Sequence, residues 1–195
     1  MYDFDKTYIK SDELLGGIDE AGRGPLAGPV VSACVLLPST NLIKGLNDSK
    51  KLTEKQRCKL ESEIKEIAID WAVAFCPAKI IDNINILEAT RLAMSVAYQR
   101  LKIKPQIVLI DAVKIKYFPI AHISLIKGDA KSAAIAAASI LAKQARDRYM
   151  QELDEVFPNY GFKKHKGYPT GAHYEALRKF GHCSEHRLTF RGVIT

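Results

Sequence analysis

The 195-residue chain has no run of about 18 uncharged apolar residues, so no membrane-spanning helix is expected. It has no internal repeat of about 20–50 residues and no low-complexity tract, which excludes solenoids, collagen-like chains and mainly disordered chains. Cysteine is sparse and scattered: Cys34, Cys58, Cys76 and Cys183 form no C-x-x-C pair. Such cysteines read as free thiols in a reducing compartment, not as a disulfide framework. The opening Met1-Tyr2-Asp3-Phe4-Asp5-Lys6 lacks the basic and apolar regions of a signal peptide, so a cytoplasmic location is expected. His182-Cys183-x-x-His186 has metal-ligand residue types close together, but no fourth ligand is evident nearby.

The residues present are those of an ordinary folded domain: 47% are hydrophobic and 26% charged. The net charge of +7 is unevenly laid out. Residues 1–111 balance 15 Lys and Arg against 15 Asp and Glu, whereas residues 112–195 carry 14 against 7. A basic second part suits a polyanion such as nucleic acid, and equally a solubilising tail.

Five apolar runs read as strands: Leu15–Asp19, Val30–Leu37, Asp70–Cys76, Gln106–Ile110 and His122–Ile126. Helical spacing is found over Thr53–Ile67, with Thr53 as N-cap, and over Ile86–Leu101 and the Ala-rich Asp129–Phe157. A short helix is expected over Ala172–Phe180, ending at Gly181, behind a basic loop that contains Lys163, Lys164 and Lys166. Early strands followed by strand–helix alternation predict an α/β fold with a mixed sheet and helices on its faces. Residues 1–157 form the expected main domain, and 158–195 a C-terminal appendage packed on it.

Carboxylates stand at the ends of predicted elements. Asp19 and Glu20 close the first strand, Asp111 closes the strand Ile107–Ile110, and Asp129 opens the Ala-rich helix. Each has an ordinary explanation as a turn or capping residue. Together they suit a hard divalent cation, which prefers oxygen ligands and relieves carboxylate repulsion. Neighbours on a regular strand face opposite ways, so Asp19 and Glu20 share a site only where the strand is ending, or where one contributes differently, for instance through its backbone carbonyl. The glycines around Arg23 match neither a P-loop, which needs Lys-Ser/Thr, nor a dinucleotide fingerprint. A Gly-Arg-Gly loop instead lets a backbone approach a sugar–phosphate chain, or simply makes a tight turn.

The run Gly17-Ile18-Asp19-Glu20-Ala21-Gly22-Arg23-Gly24-Pro25-Leu26-Ala27-Gly28-Pro29-Val30 resembles the opening motif of the bacterial ribonuclease HII family. Asn47-Asp48-Ser49-Lys50-Lys51-Leu52, Asn85–Thr90, Ile110-Asp111, Lys127–Ala130, Ala137–Lys143, Arg146-Asp147, His165–Thr170 and His186-Arg187 continue the resemblance in order. It implies an RNase H-like three-layer fold, a five-stranded mixed sheet flanked by helices, with a small helical C-terminal extension. It also implies an endonuclease that cuts the RNA strand of RNA–DNA hybrids and incises 5′ of single ribonucleotides in duplex DNA. The products would carry a 3′-hydroxyl and a 5′-phosphate, in a role of ribonucleotide and RNA-primer removal. By motif, Asp19, Glu20, Asp111 and Asp129 become the catalytic, metal-binding acids, with Mg²⁺ or Mn²⁺ in a two-metal arrangement. Gly22, Arg23, Gly24 and Tyr168 become the module that senses the ribose 2′-hydroxyl. Lys50, Lys51, Lys143, Arg146 and Lys166, with Lys163 and Lys164, are expected phosphate contacts. Leu188 and Thr189 depart from the family pattern, where Arg and Ser are commoner, which puts one phosphate contact there in question. A monomer is expected.

Overall fold

The computed structural model describes residues 1–10 and 13–193. Five strands form one sheet in the order β3-β2-β1-β4-β5. They are β1 (Leu15–Ala21), β2 (Val30–Leu36), β3 (Asp70–Cys76), β4 (Ile107–Asp111) and β5 (Ala121–Leu125). β1, β2 and β3 run antiparallel in turn, while β4 lies parallel to β1 and β5 parallel to β4. All five expected strands are present. β1 runs two residues past its expected end, through Glu20 and Ala21.

Two helical layers cover the sheet. On one face α3 (Ala78–Arg100) brings Met94, Ala97 and Tyr98 against Ile18, Cys34, Val108 and Ile110. On the other, α2 (Glu54–Ile67) and α4 (Ala133–Val156) pack Leu60, Ile64, Ala136, Ala137 and Ile140 against Ala33 and Val35. Burying each large aliphatic side chain contributes roughly 1.5–3 kcal/mol. α4 is buried along almost its whole length, and its alanines let it lie very close to the sheet. The approach is tightest at Gly17, where a Cβ would penetrate the backbone of Ala134 and Ile135. No helix among the described residues is long and apolar enough to cross a membrane.

Helix ends follow local capping chemistry, which also explains where they depart from expectation. Thr53 and Gln56 form a full capping box at α2, as the Thr53 expectation requires. The long helix starts at Ala133, not at Asp129: residues Gly128–Ala130 make one 3₁₀ turn, and Ser132 caps α4 by accepting from the Ile135 amide. Helical residues begin earlier than expected in α3, at Ala78, with Asn85 at φ 67° breaking the run. The Asn85 carboxamide oxygen accepts from the Leu87 and Glu88 amides and so recaps the second half, which is the stretch the periodicity identifies. Two short helices lie outside the sequence expectations, α1 (Tyr2–Lys6) and α5 (Phe162–His165). α5 occupies the predicted basic loop, fenced by left-handed Gly161 and Lys166. α6 (Gly171–Phe180) ends as expected at Gly181. Residues beyond α4 contribute Tyr160, Phe162, Ala176, Leu177 and Val193 to a cluster with Met150, Leu153 and Leu26.

Candidate active site

Register brings the first two acids together. Ile18 pairs with Ile110 across the parallel β1–β4 ladder, so Asp19 and Asp111 follow side by side at the same sheet edge. Alternation gives Asp19 the face of Gly17, which is the α4 face. The 3₁₀ turn before α4 delivers Asp129 to that face. Ligand oxygens of Asp19, Asp111 and Asp129 lie within 4.8 Å of one another, the one such cluster among the described residues. Asp111 Oδ1 accepts a 2.6 Å bond from the Gly128 amide and thereby ties this turn to the end of β4.

Their electrostatics are adverse without a counter-charge. Burial, then the Glu20, Asp111 and Asp129 charges, hold Asp19 well above the usual carboxylate range, although its Oδ1 accepts from the Glu20 amide at 2.7 Å. Burial, then Asp111 and Asp48, also raise Asp129. Glu20 lies outside the three-aspartate group, as strand alternation warns. Its Oε1 is 3.5 Å from Arg23 Nη1, and its buried Oε2 has no hydrogen-bond partner among the described residues. Burial raises Glu20, Arg23 pulls against it, and Asp111 adds to it. Three convergent carboxylates and an orphaned buried carboxylate oxygen nearby fit a hard divalent cation.

Beside the acids lies the loop Gly22-Arg23-Gly24. Gly22 takes φ 97°, and a side chain there would run into the Arg146 guanidinium. From Gly24, the position a Cβ would occupy is 3.9 Å from Tyr168 Cε1. Tyr168 is 42% exposed, so its ring is available at the rim of this loop. The expected sensor residues are thus brought together.

The expected phosphate contacts divide. Lys50 and Lys51 border the same recess as Asp48, Asp111 and Asp129. Burial alone would lower Lys50, but the Asp48, Asp19, Asp129 and Asp111 charges overcome it and raise it. Lys163 and Lys164 are exposed on α5, while Lys143 is tied to Asp147 Oδ1 at 2.7 Å. Lys166 is half-buried in the turn before Tyr168. Arg146 is a correction: it is 1% exposed and makes no surface contact. It donates instead to the carbonyls of Pro29, Lys166 and Ala27 at 3.0, 3.0 and 3.1 Å. A charged residue on a helix is normally surface, but here inward-turned carbonyls satisfy the guanidinium.

Sequence reasoning missed five contributors. Asp48 caps the turn before Lys50, accepting from its amide at 2.9 Å, and its charge reaches Asp129. An acid directly before Ser-Lys-Lys is the signal that could have found it. Arg187, fully buried, donates to the carbonyls of Gly22, Arg23 and Gly28 at 2.6, 3.1 and 2.9 Å, holding the Gly-Arg-Gly loop from below. His165, His173 and His186 meet under Tyr168, and their sequence spacing carries no signal. The His182-Cys183-x-x-His186 group makes no metal cluster among the described residues, because both His186 nitrogens are hydrogen-bonded within the protein.

A mixed five-stranded sheet covered by helices on both faces, with two aspartates from adjacent parallel strands meeting a third from the turn before α4, defines an RNase H-like hydrolase. The chain is 53% identical to a ribonuclease HII of Acetivibrio thermocellus over 95% of its own length and 72% of the relative's. It is 50% identical to one of Vibrio parahaemolyticus, covering 95% of the chain and 88% of the relative. The crystal structure of ribonuclease H2 from Pyrococcus horikoshii superposes with a TM-score of 0.78 at 31% identity, covering 92% of this chain and 95% of that one. The sequence signature of ribonuclease HII matches residues 16–193, and the chain belongs to that family. It is a ribonuclease H, an endonuclease of the hydrolase class.

Proposed function

We propose that the protein cleaves the RNA strand of RNA–DNA hybrids and incises duplex DNA on the 5′ side of a single embedded ribonucleotide, leaving a 3′-hydroxyl and a 5′-phosphate. The observation that carries this reading is the juxtaposition of the Asp19–Asp111–Asp129 cluster with the Gly22-Arg23-Gly24 loop and the exposed Tyr168 ring.

Asp19, Asp111 and Asp129 would hold Mg²⁺ or Mn²⁺, with Glu20 completing the set. Such a cation, when bound, lowers the pKa of coordinated water and neutralises charge at the reacting phosphate. The protein's own groups do the rest. Arg187 turns the carbonyls of Gly22, Arg23 and Gly28 inward, which frees the outer side of the loop for the ribose and its phosphates. The Tyr168 ring offers a flat face for the next deoxyribose, where a 2′-hydroxyl would obstruct contact. Lys50 and Lys51 stand at the acidic recess, and Lys163 and Lys164 extend the basic surface. We read residues 158–195 as an extension that packs on a 1–157 catalytic domain and carries Tyr168. The Met150–Phe162–Leu177 cluster supports this reading.

The test is a DNA duplex with one ribonucleotide, incubated with Mg²⁺ or Mn²⁺. A single cut 5′ to that residue is expected, and cutting confined to long RNA tracts would refute the reading. Tyr168→Ala should lower cleavage of this duplex more than that of a long hybrid.

A further inference from the structure

Beneath Tyr168 lies a buried histidine chain whose protons are fixed by its end groups. His173 is completely buried and His186 is 2% exposed. His173 Nδ1 lies 3.0 Å from the Tyr168 carbonyl, which can only accept, so Nδ1 carries the proton. The Cys183 amide can only donate, and it lies 3.0 Å from His186 Nδ1, so that nitrogen is bare and His186 is protonated at Nε2. The two Nε2 atoms are 3.0 Å apart, with the donor on His186 and the acceptor on His173. The bonds therefore run one way: Cys183 N–H to His186, His186 to His173, His173 to the Tyr168 carbonyl. His165 stacks on His173 at 4.5 Å, donates from Nε2 to the Tyr160 carbonyl at 2.7 Å, and accepts at Nδ1 from the Gly167 amide at 3.2 Å. The Gly167 carbonyl accepts from the Leu26 amide at 2.8 Å, which joins this turn to the strand-to-strand loop carrying Gly22-Arg23-Gly24.

We infer that His173, oriented by His186, is a positioning residue for sugar discrimination: it fixes the backbone of Tyr168, and so the place of its ring against the Gly22-Arg23-Gly24 loop. All six ring nitrogens of His165, His173 and His186 are engaged within the protein, so the cluster serves geometry, not metal binding. The inference rests on the reading of Tyr168 as the sensor.

Two near-isosteric variants separate the two ends of the His173 ring. Asn places its amide where Nδ1 stands and keeps a donor to the Tyr168 carbonyl. Gln places its amide near Nε2 and loses that donor. The readout is the ratio of kcat/KM on a single-ribonucleotide duplex to that on a long hybrid. His173→Gln should lower the ratio about tenfold, the worth of one hydrogen bond, and His173→Asn should keep it within about threefold. A purely structural role would lower both activities together; an unchanged ratio in His173→Gln, or a greater loss in His173→Asn, overturns the inference. Tyr168→Ala is run alongside: if it leaves the ratio unchanged, the sensor reading itself fails, whatever His173 does. Where a variant does not fold, two-bond ¹H–¹⁵N spectra of the wild-type protein decide. Protons at His173 Nδ1, His186 Nε2 and His165 Nε2 are expected, and His173 protonated at Nε2 overturns the chain.

Discussion

Gly17→Ala is expected to damage catalysis from a position that touches no substrate. A Cβ at Gly17 would lie inside the backbone envelope of Ala134 and Ile135 in the first turn of α4. Neither partner is a flexible side-chain end, so relief requires movement of the helix or the strand. Ordinary contacts sit at about 3.5–4.0 Å, so α4 must retreat by more than about 1 Å. Overpacking of this kind costs about 1–3 kcal/mol, and a clash with backbone belongs at the upper end. For a chain of this length, that lowers Tm by roughly 6–12 °C. The same retreat carries away the turn with Asp129, while Asp19 stays on β1 two residues beyond the substitution. A misplacement of about 1 Å at reacting groups can cost about 10²-fold in rate.

Thermal unfolding and hybrid cleavage, measured on the same preparation with saturating Mg²⁺, test both halves. Gly171→Ala is the control, since a Cβ there meets nothing and its φ is ordinary. It should be neutral or slightly stabilising. Wild-type Tm together with wild-type kcat in Gly17→Ala would refute the claim that α4–β1 contact sets the aspartate spacing. A lowered Tm with unchanged kcat would keep the packing argument and remove its link to the site.

Asp19→Asn should raise Tm in metal-free buffer by a few degrees, since about 1 kcal/mol moves Tm by roughly 2–4 °C at this length. It removes a buried charge facing Glu20, Asp111 and Asp129. The same variant should lose about a hundredfold or more in cleavage and most of the Mg²⁺-induced rise in Tm; an undiminished rise would place the cation elsewhere. Folding stability should also fall on acidification through the histidine chain. Burial, then the facing His173, with His182 and His165 adding, pushes His186 down to about 4, so the native state binds fewer protons than the unfolded chain between about 4 and 6.5. The stability is full above about 6.5 and lost as pH falls, on the order of 3 kcal/mol across that window. Tyr160 and Cys183 also face this ring and stay uncharged there. His186→Asn should remove that part of the pH slope in urea titrations, and an unchanged slope would sink the assignment. Salt titration of hybrid binding separates surface from buried cations: Lys163→Ala and Lys164→Ala should each reduce the salt slope by about one, and Arg146→Met should leave it unchanged.

The strands were legible because β-branched and aliphatic runs bounded by Gly, Pro and Asp leave few alternatives, as at Val30–Leu36. The acids at strand ends were legible for the same reason: an Asp directly after Ile18 or Ile110 must emerge at the sheet edge. Arg146 was not. It sits three residues after Lys143 on a helix, and its burial depends on the Pro29 carbonyl 117 residues away. The early half of α3 was hidden by Asn85, whose left-handed backbone interrupts the periodicity that would otherwise start at Ala78. His173 and His186 lie 13 residues apart with no helical or strand period between them, and only the tertiary fold makes them neighbours.

The net charge of +7 also changes meaning once Arg146 and Arg187 are placed. Both guanidiniums are buried, neither has a carboxylate partner among the described residues, and burial pulls both below the ordinary arginine range. Two unpaired buried cations are costly, and six backbone carbonyls offset that cost. Five of the six belong to residues 22–29 and the sixth to Lys166, so the two arginines knit the Gly-Arg-Gly loop to the Tyr168 turn. Part of the basic excess therefore braces this loop and turn from within instead of lying on the surface. On the proposed reading, the long-range attraction of a polyanion would fall to the exposed lysines, while the buried pair would hold the loop and the Tyr168 turn in place for the sugar.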